Sequence, residues 1–122
     1  MSRHPERAQD YLEHILEALE RIQRYTAGKS EGEFIGSTLL QDGVLRNLDI
    51  IGGAAHRLLA ESPEFAAKYP EIPLAKIYAT RNKVTHAYDE VDMNIIWNLI
   101  LFDVPDLLPK VAAALNEFKS EG

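Results

Sequence analysis

The chain has 122 residues, of which 46% are hydrophobic and 26% charged, and its net charge is −6. This length and composition predict one folded domain spanning residues 1–122 and are not those of a disordered chain. The absence of cysteine excludes a disulfide framework and a thiolate metal site. No apolar run approaches the ~20 residues of a membrane span, and the N-terminus lacks an apolar signal-peptide core, so we expect a cytoplasmic protein with no membrane partner.

The first predicted element is a long amphipathic helix over residues 5–26. Its apolar residues recur at the i, i+3, i+7 spacing of one helix face: Leu12, Ile15, Leu19 and Ile22. Gly28 is a plausible stop for this helix. The glycines and serines of residues 28–37 predict a polar connection.

A second helix is predicted over residues 38–60. Gly52 and Gly53 lie inside it, and each glycine costs roughly 1 kcal/mol relative to alanine in a helix interior. The usual compensation is the close approach of another backbone, so we expect a tight helix crossing there. Pro63, Pro70 and Pro73 then mark a loop containing at most one helical turn.

A third helix is predicted from Pro73 to about residues 87–90, and Asp92 is the predicted N-cap of a fourth. Residues 103–105, which end in Pro105, predict a break or kink, and Pro109 predicts an irregular turn in a last helix over residues 106–118. No strand pattern appears. The sequence therefore predicts an all-α fold, an up-and-down bundle of four to five helices.

Four polar side chains lie close together within residues 81–88. They are the guanidinium of Arg81, the amide of Asn82, the imidazole of His86 and the phenol of Tyr88. Arginine matches phosphate geometry, and histidine exchanges protons near neutral pH, so these residue types suit phosphodiester chemistry without a metal. On one straight helix His86 would lie about 140° round from Arg81. Either the helix ends near His86 or a second copy of the chain completes the site.

The pattern of Arg81, a polar residue, three more residues and His86 resembles the signature of the HEPN superfamily. Tyr88, two residues after His86, is similar to the HepT-like branch. Other segments resemble landmarks of that family in the same order: residues 11–22, 45–52, 69–73 and 91–97. The resemblance covers nearly the whole chain and implies an HEPN-like bundle.

The resemblance implies a toxin of a toxin–antitoxin system, acting as a metal-independent endoribonuclease without a cofactor. Arg81, Asn82 and His86 are the implied catalytic residues, at a groove between the two chains of a homodimer. The implied partner is an MNT-type nucleotidyltransferase antitoxin that neutralises the toxin by AMPylation of Tyr88.

The net charge of −6 counts against binding of RNA by bulk electrostatics, although a local cationic cleft would suffice. The candidate RNA contacts are Lys76, Lys83 and Arg46. Alternatively, Arg46 with Asn47 could form a salt bridge that holds the helix carrying Arg81.

Two other functions stay open: a non-catalytic module that binds a nucleotide or a protein in the same groove, and a substrate of the antitoxin contacted at Tyr88. In a purely structural interpretation, Arg81 and His86 are two residues on the surface of a helix, and Tyr88 lies at the edge of the core. We expect His56 to be an interfacial or satisfied residue, with no metal site.

Overall fold

The regular structure of the described residues is helical. The structure, a computed structural model, describes residues 5–85 and 92–121. In these residues it contains seven α-helices, one π-helical turn and no strand: α1 (Pro5–Thr26), α2 (Glu31–Ile35), α3 (Thr38–Glu61), α4 (Pro63–Lys68), α5 (Leu74–Thr85), α6 (Met93–Asn98), the π-turn (Leu99–Asp103) and α7 (Val104–Glu121). The prediction of an all-α, HEPN-like bundle is confirmed.

The predicted bounds and buried face of the first helix are confirmed. Its apolar stripe is at most 1% exposed, and this stripe comprises Leu12, Ile15, Leu19 and Ile22. Gly28 has a φ of +72°, in the left-handed region, and so ends the helical path where an L-side chain would be strained.

The connection predicted over residues 28–37 is wrong in one respect, because it contains the short helix α2. Ser30 and Glu33 form a capping box, in which the Ser30 hydroxyl accepts from the Glu33 N–H and the Glu33 carboxylate accepts from the Ser30 N–H. The hydrogen bond from the Ser30 N–H to the Glu33 carboxylate contributes most to lowering the pKa of Glu33. Phe34 on α2 is fully buried and stacks on Trp97, with ring centroids 5.4 Å apart. Trp97 is therefore a core residue.

The second half of the chain follows the predicted order with different boundaries. The Asp92 carboxylate accepts from the Asn94 N–H, which confirms it as the cap of α6. The predicted break or kink before residue 106 is a π-turn, which interrupts the α-helical path but joins α6 directly to α7. Pro105 has no N–H, and a π-turn before it accommodates the interrupted hydrogen-bond ladder. The helix α7 also continues through Pro109.

Helix α3 packs on both α1 and α5, and α7 packs on α1. The core draws on all the long helices, with the buried residues Ile15, Val44, Leu58 and Val111 among its largest members. No helix in the described residues has the length and apolar character needed to cross a membrane. The α3–α5 contact matters most for function, because α5 carries the arginine of the motif.

Candidate functional site

The crossing of α3 and α5 centres on Gly52 and Arg81. A Cβ atom added to Gly52 would overlap the Cβ and Cγ atoms of Arg81, whereas a Cβ added to Gly53 would meet nothing within 4 Å. The predicted tight crossing is therefore confirmed at Gly52 and not at Gly53. The missing side chain of Gly52 leaves the space through which the Arg81 side chain passes.

The Arg81 guanidinium is held by two acceptors. Its Nε donates to Asp49 Oδ1 at 2.8 Å, and its Nη1 donates to Asn82 Oδ1 at 3.0 Å. The Arg81 side chain remains 28% exposed. A guanidinium has five N–H donors, and the contacts with described residues use two of them. The side chain is thus fixed in place and remains partly accessible.

Sequence reasoning had not assigned Asp49 to the site. Its second oxygen, Oδ2, lies 3.5 Å from Arg46 Nη1, so the carboxylate joins Arg46 and Arg81. A signal was present in the sequence, because Asp49 precedes Gly52 by three residues and therefore lies on the same helix face. An acidic residue one turn before a glycine at which two helices cross is well placed to bind a cationic side chain on the second helix.

An aromatic pair lies next to Arg81. The rings of His56, on α3, and Tyr78, on α5, stack with centroids 4.3 Å apart and planes inclined by 23°. The Arg81 Cζ atom lies 6.0 Å from the centroid of the Tyr78 ring, at the limit of a cation–π contact. His56 is exposed and Tyr78 half-buried. The stacking contact places His56 at the contact between α3 and α5, as the interfacial alternative predicts.

A cavity of about 190 Å³ opens beside Arg81, between α5, the π-turn and the start of α7. Its lining is mostly aliphatic, with charged residues of both signs: Lys76, Arg81, Lys110, Glu71, Asp103 and Asp106. Lys110 donates to Asp106 at 3.0 Å. Because three cations face three carboxylates, this cavity by itself is not a cationic phosphate site.

The other predicted contact residues occupy different environments. Lys76 and Lys83 are exposed on α5, and Arg46 is exposed on α3. Arg46 forms the salt bridge to Asp49, so the alternative that it helps to hold the motif helix is supported. Asn47 is only 3% exposed, accepts from Arg21 and donates to the Gly43 carbonyl, which makes it unsuited to contact a phosphate.

His86 and Tyr88 lie outside the described residues, together with Asp89 and Glu90. The geometry between Arg81 and His86 therefore stays a prediction. In the described part of the chain, no group of three or more histidine and acidic side chains is placed to hold a metal ion.

Comparison with known proteins gives consistent results. The family model described as ribonuclease HepT-like matches residues 15–114. A Thermococcus cleftensis protein named "Probable ribonuclease HepT" is 36% identical over 83% of this chain and 89% of its own length. A Caldanaerobacter subterraneus subsp. tengcongensis protein named "Putative RNase" is 35% identical over 89% of this chain and 95% of its own length.

A longer relative also matches. The Methanocaldococcus jannaschii protein named "Gamma-glutamylcyclotransferase and putative RNase" is 36% identical over 88% of this chain, which spans 47% of that protein. No solved structure gives a significant match to the chain. The family match covers most of the chain, including the crossing of α3 and α5 and the whole Arg81–His86 motif. The chain belongs to the ribonuclease HepT-like family of the HEPN superfamily.

Proposed function

We propose that the protein is a metal-independent endoribonuclease in which Arg81, Asn82 and His86 form the catalytic centre. The single observation that carries this proposal is the way Arg81 is held. Its aliphatic stem crosses Gly52, its Nε donates to Asp49, and the side chain as a whole stays partly exposed. An arginine fixed in this way can stabilise a developing charge without first losing its own conformational freedom.

The relatives support the same chemistry. Two of them carry ribonuclease names and match over most of their length. In this chain the sequence elements of the family are complete, since Arg81, Asn82 and His86 all occur at the expected spacing.

The reaction that these side chains permit is an internal transesterification. The ribose 2′-oxygen attacks the neighbouring phosphorus, its proton passes to a general base, and the bond from phosphorus to the 5′-oxygen breaks as that oxygen takes up a proton. His86 serves as general base or acid, and Arg81 binds the phosphoryl oxygens. Asn82 holds Arg81 or a phosphate oxygen. DNA lacks the attacking hydroxyl and is not a substrate.

The proposed active form is a homodimer with the motifs of the two chains facing each other. The reason lies in the helix geometry, because Arg81 and His86 on one straight helix point about 140° apart. In a dimer, Arg81 of one chain and His86 of the other can address the same phosphate. Exposed Lys76 and Lys83 would supply positive charge at the edges of that groove.

Substitution of His86 tests the enzymatic proposal. His86→Ala should lower the rate of cleavage of single-stranded RNA by roughly 10²- to 10⁴-fold, the usual contribution of a general acid or base. The matched control is His14→Ala, because His14 is an exposed histidine on α1. Equal cleavage by His86→Ala and the unmodified protein would rule out the proposed role.

We further propose that an MNT-type nucleotidyltransferase antitoxin neutralises the protein by AMPylation of Tyr88. An added AMP group places negative charge and bulk on the residue that follows the catalytic histidine by two positions, where it would repel the substrate phosphate. Mass spectrometry of the co-expressed pair should find one AMP on the tyrosine. Persistence of that mass in a Tyr88→Phe variant would place the modification elsewhere.

A second candidate function is a non-catalytic module that binds a nucleotide or a protein. The observations that favour it are the net charge of −6 and the balanced charges around the cavity. If the protein binds RNA without cleaving it, and His86→Ala binds equally well, this second function is the correct one.

A further inference from the structure

The surface next to Arg81 carries an aromatic stack that the proposed reaction does not use. His56 and Tyr78 stack at 4.3 Å, and neither is part of the catalytic set. His56 is exposed, so its ring adds an accessible aromatic surface to the outside of α3. A ring packed face to face on a second ring is held in a fixed orientation, unlike a lone histidine on a helix surface.

The position of this stack relative to Arg81 is set by the helices. Tyr78 precedes Arg81 by three residues on α5, and His56 follows Gly52 by four residues on α3. Each aromatic residue therefore lies about one helical turn, or about 5.4 Å, from the point where the helices cross. The guanidinium and the aromatic pair are neighbours at the α3–α5 contact, since Arg81 Cζ lies 6.0 Å from the centroid of the Tyr78 ring.

We propose that His56 and Tyr78 form a nucleobase-stacking subsite, which holds one unpaired base of a single-stranded RNA adjoining the phosphate bound by Arg81. Proteins that recognise single-stranded RNA stack splayed bases on aromatic rings and arginine planes. Here an exposed imidazole, a phenol and a guanidinium follow one another across the α3–α5 surface. The proposal rests on the proposed function, because it takes RNA as the ligand.

Stacking of this type also explains how a protein with a net charge of −6 could bind RNA. An acidic protein gains little from bulk attraction to a polyanion. A base on an aromatic ring adds affinity that does not depend on net charge and tolerates any base, because every base has a π-face. The subsite would therefore fix the position of the strand without selecting a sequence.

The experiment uses a cleavage-deficient His86→Ala protein and a fluorescently labelled, single-stranded oligoadenylate of about ten nucleotides. Removal of the imidazole in His56→Ala should raise the Kd by about 5- to 150-fold, the range for loss of one base–aromatic stack. His56→Phe retains an aromatic face and should bind within about twofold of the parent. His14→Ala is the matched control, because it removes an exposed histidine from α1, a helix that is not part of the crossing.

Two further measurements separate stacking from other effects. The salt dependence of the Kd should be the same in His56→Ala and the parent, since no phosphate contact is lost. With an oligonucleotide that lacks its bases, the two proteins should bind equally. Equal binding of oligoadenylate by His56→Ala and the parent, or equally weak binding by His56→Phe and His56→Ala, would overturn the subsite.

The oligomeric state and the cleavage assay distinguish the remaining outcomes. If His56→Ala changes the mass in light scattering, the aromatic pair is a contact between copies of the chain, and the subsite is wrong. If the unmodified protein cleaves RNA in a His86-dependent way while His56→Ala binds normally, the subsite fails and the proposed function stands. If the unmodified protein neither binds nor cleaves RNA, both proposals fail.

Discussion

Helices α1 and α5 are positioned by different forces. The apolar stripe of α1 is buried completely, with Ile15 and Ile22 fully inaccessible. On α5, by contrast, Leu74 is the only buried apolar residue among the described side chains, and Ile77 and Val84 are half-buried. Burial of apolar area holds α1 in the core.

On α5, specific side-chain contacts with α3 add to a smaller apolar contribution. Arg81 passes over Gly52 and binds Asp49, and Tyr78 stacks on His56. The helix that carries the candidate chemistry is therefore the one with the smaller share of the core. Changes in α1 should affect stability first, and changes at the α3–α5 crossing should affect activity first.

Among variants of α1 and of the α3–α5 crossing, Gly52→Ala should have the largest effect on both stability and activity. The new methyl group would occupy the space of the Arg81 side chain, and overpacking of this kind costs about 1–3 kcal/mol of unfolding free energy. Displacement of the guanidinium should also lower the cleavage rate by about 100-fold or more. Urea denaturation and a cleavage assay measure the two effects.

Gly53→Ala is the matched control for this experiment. Its methyl group would meet nothing within 4 Å, and alanine is the better helix former by about 1 kcal/mol. This variant should be as stable as the unmodified protein or more stable. Equal stability of Gly52→Ala and Gly53→Ala would contradict the close crossing, and loss of folding in Gly52→Ala alone would support it.

Asp49→Asn should separate activity from stability. The variant keeps an oxygen near Arg81 Nε but loses the charge that binds both Arg81 and Arg46. The pair is partly exposed, so its loss should cost no more than about 1 kcal/mol of stability. Cleavage should slow by up to about 100-fold with a small change in KM, because a misaligned Arg81 loses transition-state contacts.

Asp42→Asn provides the control, since Asp42 is an exposed acid on the same helix and its change alters the net charge equally. A similar loss of rate in both variants would indicate an effect of net charge. In that case Asp49 would have no positioning role.

Ile15→Val should have the smallest effect and should be confined to stability. Removal of one fully buried methyl group costs about 0.5–1.5 kcal/mol. Well below the melting temperature, the rate of RNA cleavage should equal that of the unmodified protein. A slower rate with intact folding would show that α1 takes part in function and would remove the contrast between the two helices.

Long helices with regular apolar spacing were predicted well from the sequence. The bounds of α1 were correct, and α3 extends one residue past its predicted end at residue 60, because 3.6-residue periodicity is a property of a contiguous segment. The short helix α2 was missed, since its five residues contain a glycine and depend on burial of Phe34 against Trp97. That contact joins residues distant in the sequence, and no local pattern reports it.

The sequence by itself determined the all-α class, the buried face of α1 and the presence of Arg81, Asn82 and His86 at family spacing. Only the tertiary structure decided that Arg81 meets Asp49, 32 residues away, and that Gly52 provides its passage. The physical reason is that helix periodicity fixes which face a residue occupies. Where two faces meet, and which atoms then come within hydrogen-bonding distance, depends on packing of the whole chain.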